Sequence, residues 1–94
     1  MGIKQLMMDV DKALDRPSLI EISAAIEAQK GVEGLSIVVT EVDMETVGME
    51  ITVEGEELNY DQIVSAIERT GAVVHSLDQV LAGKKMITPT RRIR

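Results

Sequence analysis

From Ile3 to Asp11 apolar and polar side chains alternate, with Leu6, Met8 and Val10 on one side and Gln5, Met7, Asp9 and Asp11 on the other. A period of two marks a strand with one face against a core, so a first strand is predicted over 3–11. A polar stretch follows and ends at Pro17. Ser18-Leu19-Ile20-Glu21 then has the spacing of a capping box, in which the serine hydroxyl accepts from a free backbone N–H and the glutamate reaches back. The period lengthens to that of a helix presenting Leu19, Ile22, Ala25, Ile26 and Gln29, and Gly31 is placed to stop it after about Lys30.

Leu35 to Val42 is rich in β-branched residues, and Val47 to Glu54 alternates again. Two strands with a link of about four residues predict a hairpin. Asn59 and Gln62 form a second, weaker capping box, opening a helix through Ile63, Ala66 and Ile67 that closes at Gly71. A last strand covers 72–82. The order is βαββαβ. Two right-handed βαβ units interleave into a four-stranded antiparallel sheet of order 4-1-3-2 with both helices on one face, the α+β ferredoxin-like sandwich. The first strand is expected beside the third and running parallel to it. Ile22, Ile26, Ile51, Val53, Ile63 and Ile67 are the expected core. The second sheet face is left bare for partners or subunits.

A chain of 94 residues makes one domain, expected over 1–85 and followed by a basic tail over 86–94. One Tyr and no Phe or Trp leave the core to aliphatic side chains and six Met, which bury less area apiece. Modest stability and self-association are the expectation. Residues 1–83 hold five basic and all sixteen acidic side chains, a charge of −11, and residues 84–94 hold Lys84, Lys85, Arg91, Arg92 and Arg94, a charge of +5. An acidic body repels a phosphate backbone, so nucleic acid is not an expected partner. Pro89 disfavours a continuing strand, and the tail is expected either to cross to carboxylates of a neighbouring subunit or to fray. No apolar run long enough for a membrane span and no leader pattern are seen, which makes the cytoplasm the expected location.

Zero Cys excludes disulfides, thiolate metal sites and cysteine nucleophiles. Stacking of RNA bases needs rings on the central strands, where this chain has Met7, Met8, Met49 and Ile51. The segment 11–18 has no Gly to cradle a phosphate, and Arg16 beside a helix start is a weak anion signal. His75 is expected on the face opposite Ser76 and Asp78, packed and hydrogen-bonded rather than catalytic. No nucleophile–base pair emerges, so no enzyme activity and no catalytic residue are expected. Asp9, Asp11 and Glu54, with Glu50 nearby, are the candidate metal ligands on the open face, either within one subunit or across two. Calcium or magnesium is the candidate ion, since hard cations take several oxygen ligands. Glu41, Asp43 and Glu45 form a second acidic cluster at the hairpin.

Several segments together carry a family resemblance: Met8-Asp9-Val10, Gly31-Val32-Glu33-Gly34, Thr40 to Thr46, Ile51 to Gly55, Leu58 to Ile63 and, most specific, His75 to Lys84. Over about residues 3–85 the chain resembles a small archaeal family, domain-of-unknown-function family 211. The resemblance implies a ferredoxin-like fold and a ring-like or otherwise repeated homo-oligomer, and it implies no reaction and no catalytic residues. The segment Asp11-Lys12-Ala13-Leu14 departs from the Lys-Pro-rich turn of that family. The expected function is therefore a non-enzymatic, self-assembling module that binds a hard divalent cation or small ligand at subunit interfaces. The alternative is a small-molecule-sensing regulatory domain similar to amino-acid-binding modules of this topology, with its ligand near the start of the first helix.

Overall fold

The computed structural model describes residues 2–85, 87 and 88. The expectations for the tail therefore lie mostly outside the described residues. Six elements follow in the order β1 (Ile3–Ala13), α1 (Leu19–Glu27), β2 (Val32–Val42), β3 (Thr46–Gly55), α2 (Tyr60–Arg69) and β4 (Val73–Ala82). The sheet order is β2-β3-β1-β4, and every neighbouring pair is antiparallel. This is the ferredoxin-like α+β fold. One expectation is corrected: β3 runs against β1 rather than with it. Each βαβ crossover skips one position, so the strand that fills the gap has the opposite direction.

Alternation decides what the helices cover. Leu6, Met8 and Val10 of β1 and Met49, Ile51 and Val53 of β3 are fully buried beneath Ile22, Ile26, Ile63 and Ile67 of the two helices. Of the methionines considered for a binding face, Met8 and Met49 thus belong to the core, as does Ile51, and only Met7 lies on the open side. Lys12 is also buried, with its ammonium donating to the carbonyls of Ala13 and Leu14 at 2.9 and 3.2 Å. Those bonds satisfy the charge at the sheet end and hold the chain as it leaves β1.

The first helix starts as its sequence implies. Ser18 Oγ accepts from the Glu21 N–H at 3.0 Å, and the Glu21 carboxylate accepts from the Ser18 N–H at 2.8 Å. It ends sooner than Lys30, with its cap at Ala28. The Gln29 N–H turns to the Ile26 carbonyl at 3.0 Å, a tighter final turn, while the Gln29 side-chain amide donates to the Ala25 carbonyl. In the second helix only the Asn59 half of the box forms, its Oδ1 accepting from the Gln62 N–H.

Candidate functional site

The register lays the open face out in rows across β4, β1, β3 and β2. One row runs Ser76, Asp9, Glu50 and Val38, and the next runs Val73, Asp11, Gly48 and Glu41. A third holds Gln79, Met7, Thr52 and Ser36, and a fourth Leu81, Gln5, Glu54 and Gly34. Asp9 and Asp11 therefore share the face, and Asp9 stands directly opposite Glu50. Glu54 does not join them. It lies four positions from Glu50 along β3, about 13 Å at the rise of a strand. There its carboxylate accepts from the Gln5 side-chain amide, whose own oxygen accepts from Gln79 at 3.4 Å. That ladder occupies Glu54 in a role the alternation pattern alone does not reveal.

The acid that lies across Gly48 from Asp11 in the same row is Glu41. A side chain at Gly48 would touch Asp11 Oδ1 at 3.5 Å and the Glu41 Cβ at 3.6 Å, so the glycine leaves the two acids flanking an open gap. Sequence spacing grouped Glu41 with Asp43 and Glu45 instead. The register shift between Val39 and Glu41 turns Glu41 onto the ladder opposite Gly48. Among the described residues no three His, Asp or Glu side chains converge tightly enough to hold a metal ion.

The last strand departs from simple alternation in two places. Its pairing with β1 shifts between Asp9 and Val10 and again between Met7 and Met8, which leaves His75 and Asp78 as the extra residues. Ser76 Oγ donates to Asp78 Oδ1 at 2.8 Å. His75 is exposed, and its side chain takes part in none of the side-chain hydrogen bonds among the described residues, rather than being packed and bonded as expected. Serine, histidine and aspartate thus do not form a relay. At the start of α1 the reciprocal bonds of Ser18 and Glu21 take up two backbone N–H groups, and the Glu21 carboxylate already supplies a negative charge there. Arg16 beside it is exposed.

What stands open is the sheet's rim. Strands β2 and β4 are its two edges. On the helix-bearing side Val39 and Val42 of β2 are 42% and 68% exposed, and Leu77 and Val80 of β4 are 38% and 43% exposed. On the open side Val38 and Val73 are exposed as well. Two helices of nine and ten residues cover the middle of the sheet and leave its borders uncovered. Among the described residues no helix is long and apolar enough to cross a membrane.

The family model for DUF211, described as "Uncharacterized ArCR", matches residues 4–94. The chain belongs to the DUF211 family. It is also 34% identical over 90 residues to an uncharacterized protein, MJ0319, of Methanocaldococcus jannaschii, a match covering 96% of this chain and 92% of that protein. This DUF211 chain shares with its relative nearly the whole folded length, so the open face and both rim strands lie within the matched region.

Proposed function

We propose that this chain is a non-enzymatic module whose work is done as a homo-oligomer. The observation that carries this reading is the pair of bare sheet edges, each with apolar side chains left outside the helical layer. An edge strand offers unpaired backbone N–H and C=O groups, and native folds normally blunt it with charge, Pro or a cover. Residues 34–40 of β2 carry no charged side chain and no Pro. The aliphatic core adds to the case, since a two-layer domain 17 Å thick gains much of its missing burial by docking copies of itself. Binding linked to folding makes the melting midpoint depend on protein concentration. A hundredfold dilution is expected to lower the midpoint measurably, and a midpoint constant across that range contradicts the reading.

A hard divalent cation, calcium or magnesium, enters this proposal through Asp9 and Asp11 on the open face, with the remaining ligands drawn from water or a second copy. Asp9 opposite Glu50 is a like-charged cross-strand pair, which costs stability when nothing lies between them. In metal-free buffer Asp9→Asn is therefore expected to stabilise the fold by a few tenths of a kcal/mol, about the scale of such pairs. Millimolar calcium is expected to raise the midpoint of the parent and leave the variant unmoved. Equal gains in both remove Asp9 from any cation site.

A further inference from the structure

We propose that the groove where the end of α1 meets the exposed face of α2 is a binding site for a small dicarboxylate that carries an amino group. The proposal goes beyond the self-assembly reading and does not rest on it, since it uses neither an edge strand nor the open face. Topology brings the pieces together. β3 runs against β1, so α2, which follows β3, runs against α1, which follows β1. The C-terminal end of α1 therefore lies beside the N-terminal half of α2. A cavity of about 640 Å³ opens there, lined by Gln29, Lys30, Asp61, Gln62, Ser65 and Arg69. Asp61, Ser65 and Arg69 recur every four residues, so one stripe of α2 borders the cavity while Ile63, Ala66 and Ile67 are buried on its other side. Every lining side chain is polar or charged.

Charge selects the ligand. Residues 1–83 carry only five basic side chains against sixteen acidic ones. Lys12 is buried against two carbonyls, and Lys4 is bonded to Glu56. Arg16, Lys30 and Arg69 have no ion pair among the described residues, and two of those three line this one cavity. Glu56 borders the adjoining hollow with Lys30, but its carboxylate is engaged by Lys4 at 3.2 Å. A chain this acidic that leaves two unpaired cations on one polar hollow makes there a local field opposite to that of its net charge.

Each group has a match on such a ligand. The Arg69 guanidinium takes one carboxylate in forked hydrogen bonds. Side chains on a helix lean towards its N-terminus, which directs Arg69 at Ser65, whose hydroxyl adds a donor. Lys30 takes the second carboxylate from the α1 side. Asp61 accepts from the ammonium group, which a plain dicarboxylate lacks. The Gln29 amide donates to the Ala25 carbonyl, so its oxygen is left to accept as well. A phosphate suits the place less well. No glycine lines it to bring backbone N–H groups close, and Asp61 repels a dianion that has no cationic end.

Equilibrium dialysis of the full chain against labelled L-glutamate, with L-aspartate as a second probe, tests the site. One molecule is expected per chain at saturation. Arg69→Gln and Lys30→Gln are each expected to weaken glutamate binding about tenfold or more. Arg16→Gln changes the third unpaired cation, beside the opposite end of α1, and is expected to leave binding as it was. Glutarate, which is glutamate without its amino group, is expected to bind the parent more weakly than glutamate does, and Asp61→Asn to erase that difference. All four substituted residues are exposed, and far-UV circular dichroism checks that the variants are folded. No saturable uptake of either amino acid in the millimolar range overturns the proposal. So does glutamate binding that is unmoved by Arg69→Gln, or that Arg16→Gln weakens equally. Inorganic phosphate binding as tightly as glutamate overturns the ligand class. None of these results changes the mass of the assembly, so the self-assembly reading stands or falls separately.

Discussion

Alanine at Gly55 lowers the unfolding free energy by about 3 kcal/mol, a large share of what a domain of this size possesses. Gly55 ends β3 opposite Val32, where the chains cross closely: the Glu56 N–H donates to the Gly31 carbonyl at 3.0 Å. A Cβ on Gly55 would overlap that same carbonyl oxygen and press on Leu58 Cδ2 at 3.0 Å. Backbone cannot step aside as the end of a side chain can. Gly31 cannot relieve the contact either, because it has a φ of +90° and its own absent Cβ would meet the Glu56 carbonyl. Gly34→Ala is the control. Nothing lies within 4 Å of its added methyl, and a gain of about 0.4–1 kcal/mol is expected from the stiffer unfolded chain. Urea unfolding of the two variants at equal protein concentration separates a packing clash from a general intolerance of alanine.

Truncation of Ile67 to alanine is expected to cost about 2–5 kcal/mol. The side chain is fully buried on α2, within the cluster that includes Ile63, Met49 and Ile51. Where the cost falls within that range depends on how far the flexible Met49 in the same cluster can fill the space. The same urea series reads it, again at fixed concentration because dissociation and unfolding are linked. A loss below about half a kcal/mol would mean that the residue is not held between helix and sheet.

The architecture was legible because each element carries its own signal. Alternation in β1 and β3, the serine–glutamate box and the left-handed glycines at 31 and 71 sit where the structure has strand faces, a helix start and chain turns. The six aliphatic residues picked from these periods as core are all fully buried. What pattern could not supply was pairing. The direction of β3 against β1, and the distance of Glu54 from Asp9, follow from register, which no single strand encodes. Bulges did the rest. One extra residue near Thr40 moved Glu41 next to Gly48, and the extra residues His75 and Asp78 broke the alternation that had set histidine against serine and aspartate. The first helix stops short of Lys30, with Gln29 beyond its cap and the Gln29 side-chain amide donating to the Ala25 carbonyl.

These particulars leave exposed apolar side chains and sheet edges at the borders of the fold. On the open face Asp9 stands against Glu50, and Glu54 is taken up by the Gln5 amide. The rim strands keep apolar surface and unpaired backbone that a single copy leaves to water. Light scattering of the full chain from micromolar to several hundred micromolar tests that account most directly. The account predicts a mass of two or more whole multiples of 10.3 kDa at the upper concentrations. A mass of 10.3 kDa at every concentration would contradict it.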